Sequence, residues 1–305
     1  FHIHERFDDV MMIAEDSSDF PNVTQSTLDG GLGFDYKWDL GWMNDTLKYM
    51  GRDPIYRQYH HNDMTFSMAY FYSERFILPF SHDEVVHGKR TIIDKIWGDF
   101  DQKFAQLKSL YVYMFSHPGK KLNFMGNELD EKKSLGWNIL SFPTHDAFHH
   151  FVADLNDLYL AHPAMYRGDY RFDGFKWLIV DDNLQSLFAF TRKSEDGDTL
   201  IAVMNFTSNS HDGLRIPVEK PGWYKEILNT DKDIYAGGNM LNQSLLESEE
   251  VPWVNEAHSI CINLAPFAST VLKLEKEKVI KKKEEVSKKE EPVIEKQEKP
   301  KVKQK

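Results

Sequence analysis

The sequence predicts an α/β fold in which βα units lay down a parallel sheet or barrel, followed by an all-β sandwich domain and a charged tail. Three observations carry this. Apolar runs recur that each end in polar or charged residues and are separated by helical stretches, the pattern of parallel strands joined by crossovers. Beyond about residue 165 the pattern changes to short β segments at close spacing. From Glu275 to Lys305 the chain is nearly all Lys and Glu, 12 and 8 of each, and has no core-forming face.

Taken in order, Val10–Ala14 reads as a strand that ends in Glu15, Asp16, Ser17 and Ser18. Residues 29–39 (DGGLGFDYKWD) read as a loop around a short strand, with glycines for turns and aromatic residues for flat surfaces. Gly41–Met50 and Thr65–Glu74 read as helices, and Phe76–Phe80 as a buried strand. That strand delivers Ser81-His82-Asp83-Glu84-Val85-Val86-His87-Gly88-Lys89, a dense group of imidazoles, carboxylates and an ammonium. Asp83 and Glu84 are equally readable as caps of the next helix. Gln102–Phe115 has helical apolar spacing and is stopped by His117-Pro118-Gly119. Leu122–Met125 reads as the next strand, ending in Gly126-Asn127-Glu128, and Ala147–Leu160 as the last helix. The expected β segments include Lys176–Val180, Ser186–Arg192, Leu200–Phe206, Ser259–Leu264 and Ser269–Leu274. The domain limits are therefore 1–164, 165–274 and a disordered tail at 275–305.

Composition narrows the function. A net charge of -11 argues against nucleic acid, whose phosphates want a basic surface, and suits a neutral substrate. No apolar stretch approaches the ~18 residues of a membrane span. A single cysteine, Cys261, rules out an intrachain disulfide framework and makes a reducing cytoplasm the expected compartment. The chain starts at Phe1 with neither a basic start nor an apolar signal core, and reads as the middle of something longer.

Parallel strands all carry their polar ends to the same side, so Glu15, Asp83 and Glu128 are expected to converge although far apart in sequence. Gathered carboxylates point to acid/base work on a neutral substrate or to a divalent cation. No His-Glu-x-x-His or Asp-rich ligand loop is present, and Gly30-Gly31-Leu32-Gly33 lacks the Lys and Ser/Thr of a phosphate loop. Two carboxylates about a sugar bond, one of them held protonated, is the usual arrangement for glycoside cleavage. Tyr36, Trp38 and Trp42 offer flat faces for sugar rings, Trp38 foremost.

Five stretches carry a resemblance that spacing alone does not supply. They are residues 13–21 (IAEDSSDFP), 30–38 (GGLGFDYKW), 41–46 (GWMNDT), 80–89 (FSHDEVVHGK) and 117–128 (HPGKKLNFMGNE). Together the chain resembles bacterial 1,4-α-glucan branching enzymes of the α-amylase superfamily from about Val10 to Leu274. The resemblance implies the C-terminal half of a (β/α)₈ TIM barrel, strands five to eight, followed by the β-sandwich domain. It also implies a retaining double displacement that cleaves an α-1,4 bond and rebuilds it as an α-1,6 branch, with no cofactor and no metal. Glu15 then corresponds to the general acid/base, and Asp83 with His82 to the transition-state-stabilising pair. Lys37, Trp38, Trp42 and Glu128 are the substrate-binding candidates, and the partner is an α-1,4-glucan such as glycogen or amylose.

The nucleophile of that family follows barrel strand four in an Arg-x-Asp pattern, and only 14 residues precede Glu15 here. It is therefore expected to be absent from this chain, which alone should be inactive. Residues 129–133 (LDEKK) replace a longer aromatic loop of the family, and Trp137 is expected to pack near the last strand. Another α-glucan hydrolase of the superfamily, or a non-catalytic glucan-binding remnant, are the alternative readings.

Overall fold

The computed structural model describes residues 3–7, 9–86, 89–129 and 141–278. Its first half is a four-stranded sheet in the order β1 (Ile13–Ala14), β2 (Tyr36–Trp38), β3 (Phe76–Phe80) and β4 (Lys120–Asn123). Every neighbouring pair is parallel, so all four carboxyl ends point the same way. β3 is buried along its whole length and reads as an unbroken apolar run because both faces are occupied. Leu78 and Phe80 pack against the helices, Phe80 lying 5.3 Å from the Trp42 ring. By alternation Ile77 and Pro79 face the other way, toward the barrel lumen. The proline costs no ladder bond: Ile77 O turns toward β2 to accept Asp39 N, and β2 ends there, so the N–H that Pro79 lacks has no strand to serve.

The helices are α1 (Leu40–Met50), the single turns α2 (Pro54–Arg57), α3 (Asn62–Thr65), α4 (Ser67–Tyr70) and α5 (His82–Val85), and the long α6 (Phe100–Ser116) and α7 (Pro143–Ala161). α6 begins with a reciprocal capping box between Asp99 and Gln102. It stops at His117, after which Gly119 takes φ +104°, a conformation that a Cβ would strain. The helix expected at Thr65–Glu74 is broken into α3, α4 and a 3₁₀ turn at Phe71–Ser73. Tertiary contacts outweigh its helical spacing: Phe71 stacks on Tyr170, and Glu74 is buried, accepting from Val23 N and Thr24 N at 2.7 Å each.

The second half is antiparallel. β5 (Phe175–Asp182), β6 (Leu187–Lys193), β7 (Thr199–Asn205), β9 (Gly222–Asn229), β10 (Leu246–Glu247) and β12 (Ser269–Glu277) form one sheet, while β8 (His211–Val218) and β11 (His258–Leu264) form a second. The first sheet is a middle layer. Leu187, Ala189, Ile201, Val203 and Leu272 pack against Ile216, Ile260 and Ile262 of the second sheet. Phe188, Phe190, Leu200, Ala202, Met204 and Val271 belong instead to the core that holds Leu78, Tyr111 and Phe151 of the barrel half. The two halves therefore share one continuous core. β12 continues past Glu275 to Glu277, into the segment read as tail; the rest of that tail from 279, the 130–133 loop and Trp137 lie outside the described residues.

Candidate active site

Register and alternation decide which side chains share the strand ends. Ala14 pairs with Lys37, and Lys37 with Phe76, so the next residues, Glu15, Trp38 and Ile77, stand level on the lumen face. Glu15 is exposed and Trp38 half-buried beside it. Lys37 falls on the opposite face. Its side chain is only 7% exposed, and its ammonium lies 3.0 Å from both Asp16 Oδ2 and the carbonyl of Ser18. It fastens the loop after β1 from outside the lumen with two of its three ammonium hydrogens, so it lies on the face away from the strand ends where it was expected to bind sugar. Asp16 is held down to about pH 2 in its titration by the Ser18 amide first, then by Lys37.

Trp42 is corrected for the same reason. At 1% exposure it packs between Phe80 and Tyr113, its ring 6.1 Å from the latter and nearly parallel to it. Its helix buries this face, and no sugar reaches the ring.

His82 and Asp83 open α5 directly beyond β3. Their side chains are about half exposed and touch, His82 Nε2 lying 3.3 Å from Asp83 Oδ1. What presents them is beneath. Glu84, buried, accepts from Ser81 N and Ser81 Oγ at 2.7 Å each, and Ser81 Oγ accepts from Asp83 N at 3.2 Å. Of the two carboxylates that could have capped the helix, Glu84 closes the capping box and Asp83 is left facing out. The Ser-x-x-Glu spacing was the signal for this; the sequence reading offered Asp83 and Glu84 alike as caps and gave Ser81 no role.

The end of β4 is tied to the end of β3. Phe80 O accepts from Phe124 N at 2.8 Å and from Asn127 Nδ2 at 3.2 Å, and the His82 ring lies 6.0 Å from Phe124. Glu128, half-buried, accepts from Gly126 N at 2.8 Å and so bends back over its own turn. Glu15, Trp38, His82, Asp83 and Glu128 thus share one edge of the sheet. Among the described residues no cluster of three or more His, Cys, Asp or Glu could hold a metal ion.

A parallel βα sheet with acid groups at its carboxyl edge, fused through a common core to an all-β sandwich, is the α-amylase type of fold. Solved structures agree: AmyP in complex with maltose superposes with a TM-score of 0.60 at 14% identity, covering 89% of this chain and 56% of that one. An Anoxybacillus alpha-amylase superposes with a TM-score of 0.57 at 16% identity, covering 91% and 55%. Residues 177–275 match the alpha amylase C-terminal all-beta domain.

Within that fold, the chain is a homologue of the 1,4-alpha-glucan branching enzymes. It is 45% identical to the Saccharophagus degradans enzyme GlgB over 279 residues, 90% of this chain and 38% of the relative. Against GlgB of Halothermothrix orenii it is 45% identical over 278 residues, 89% of this chain and 44% of the relative. The chain thus spans less than half the length of the curated relatives it matches.

Proposed function

We propose that this chain supplies the carboxyl-terminal half of the catalytic barrel and the β domain of a 1,4-α-glucan branching enzyme. The observation that carries the reading is the common edge: Glu15 and the His82–Asp83 pair leave parallel strands on the same side, in a chain 45% identical to such enzymes over nine-tenths of its length. Glu15, exposed beside Trp38, is the general acid that protonates the departing glucan oxygen and then the base that deprotonates the incoming 6-hydroxyl. Asp83 accepts hydrogen bonds from sugar hydroxyls that tighten as the ring flattens, and His82 donates another, so both act on the transition state. Trp38 stacks on a ring next to the scissile bond, and Glu128 receives hydroxyls at the far edge.

The attacking carboxylate belongs to the part of the barrel that the relatives have beyond this match. The 305 residues alone are accordingly inactive, and activity returns when the remaining strands are supplied. The compartment is the cytoplasm, where glycogen is made; among the described residues no helix is long and apolar enough to cross a membrane. The competing reading is an α-glucan hydrolase. A chimera decides: residues 1–278 replace their counterpart in the Saccharophagus degradans enzyme, and amylose is incubated with it. New α-1,6 linkages without a matching rise in reducing ends support branching, whereas reducing ends alone reject it.

A further inference from the structure

The segment that carries His82 and Asp83 is a single helical turn, too short to hold its shape by backbone bonds of its own. Its far end is fixed by packing: Val86 N donates to His82 O at 2.9 Å, and Val85 packs against the core cluster that contains Trp42 and Phe80. Its near end follows Phe80, whose carbonyl is already tied to Phe124 N and Asn127 Nδ2 on β4. The freedom left to the turn lies between these anchors, at Ser81 to Asp83. Glu84 takes it up. The side chain is 7% exposed, and its Oε2 accepts from both Ser81 N and Ser81 Oγ at 2.7 Å.

These bonds have a fixed direction. A carboxylate has no hydrogen to give, so Ser81 Oγ spends its own hydrogen on Glu84 and meets Asp83 N with a lone pair, at 3.2 Å. The relay therefore runs from Asp83 N to Ser81 Oγ to Glu84 Oε2. Without the carboxylate the hydroxyl is free to rotate, and Asp83 N loses an oriented acceptor.

We propose that Glu84 is a positioning residue for branching: it touches no sugar, and through Ser81 it sets the backbone from which His82 and Asp83 reach the transition state. The inference rests on the roles proposed above for those two residues. Their hydrogen bonds have to tighten as the sugar ring flattens, and a displacement of about 1 Å at such a group costs on the order of 10²-fold in rate. The capping box thus aims the pair as well as starting the helix.

The chimera tests this with amylose as substrate. Glu84→Ala is expected to lower kcat ~10–100-fold and to leave KM within about twofold, because lost aim is felt in the transition state and not in ground-state binding. Glu84→Gln keeps an acceptor oxygen at the same place in the capping box and should bring kcat back to within about threefold of wild type. Ser81→Ala breaks the relay at its middle, so the double variant with Glu84→Ala should be slower than the slower single variant by no more than about threefold. Hydrogen exchange reads the geometry without the chemistry: the amides of Ser81 and Asp83 should exchange faster in Glu84→Ala and at the wild-type rate in Glu84→Gln. Far-UV circular dichroism and the urea midpoint report folding. If Glu84→Ala does not fold, Ser81→Ala, in which Glu84 keeps its bond from the backbone N–H, carries the same expectation for kcat and KM. The proposal is overturned if kcat is unchanged, if the loss appears in KM alone, or if Glu84→Gln does not restore it. Branching lost with Asp83→Asn but kept with Glu84→Ala overturns this inference and leaves the site reading standing, whereas full branching with Asp83→Asn overturns both.

Discussion

Asp169 and Arg192 meet at 2.7 Å with both side chains about 1% exposed, joining the segment after the last barrel helix to the second strand of the β domain. Arg192 also donates to Ser116 O at 2.6 Å, at the end of α6, and Asp169 accepts from Lys120 Nζ at 3.0 Å, at the start of β4. The pair is a knot between the two halves. Removing one partner of a buried pair typically costs ~3–5 kcal/mol, and because Lys120 keeps its bond to Asp169 that range is an upper bound for the loss of Arg192. Arg192→Ala should therefore lower the unfolding free energy measured by urea titration by up to that amount, while a surface change such as Lys225→Ala should change it by less than about 0.5 kcal/mol.

The shared core has its own consequence. Phe190 of β6 lies in the cluster that contains Leu78 and Tyr111 of the barrel half, so neither half buries that surface alone. Phe190→Ala should destabilise both halves together by ~3–5 kcal/mol. Unfolding followed by total tryptophan fluorescence and by far-UV circular dichroism should give coincident transitions in wild type and variant. Two separated transitions would show that the halves fold independently.

Burial raises the Asp39 carboxyl from 3.8 to about 6, against the opposing bonds from Trp42 N and Tyr70 OH. An acid whose folded pKa is raised contributes stability that is fully present below the unfolded value and is lost as pH climbs through about 6. The loss between pH 4 and pH 7 is up to about 3 kcal/mol. Asp16, pulled the opposite way, has its linkage below about pH 4 and so outside this window, and the difference between wild type and Asp39→Asn isolates Asp39 from the other carboxylates. The variant should gain on wild type as pH rises from 4 to 7; a constant difference would remove the buried carboxyl from the account.

Lys37 holds Asp16 and Ser18 and so fixes the loop that begins at Glu15. Lys37→Met keeps the apolar stem and deletes the ammonium. Amides of residues 16–22 should then exchange hydrogen faster while those of β3 do not. Unchanged exchange in the loop would return Lys37 to the list of sugar-binding candidates.

Much of this fold was legible because its signals are local. The apolar run of β3, the helical spacing of α6 and α7 and the breaks at His117-Pro118-Gly119 and His162-Pro163 each name an element without reference to the rest. β6 and β7 were legible as continuous apolar runs, since the middle sheet is covered on both faces. β8, with Gly213 and Pro217, and β9, with Lys225 and Glu226, gave no such run and were not anticipated. In the site, residue type was legible and direction was not. Lys37 and Trp42 lie in the right stretch, but one residue of strand alternation turns Lys37 outward, and the phase of α1 buries Trp42. Glu84 was visible as a carboxylate next to Asp83, and only the bonds from Ser81 show which of the two is used up in holding the turn.

The central claim is that Glu15 is the acid at the strand ends, and the most direct test separates proton donation from everything else. In the chimera, Glu15→Gln is assayed with amylose, whose leaving oxygen needs a proton, and with an α-maltosyl fluoride donor, whose leaving fluoride does not. We expect the turnover of amylose to fall by ~10²–10⁴, the usual contribution of general acid catalysis, with the first-turnover release of fluoride nearly unchanged, because that step needs no acid and Glu15 returns only as the base of the second step. An equal loss with both donors, or no loss with amylose, would contradict the assignment.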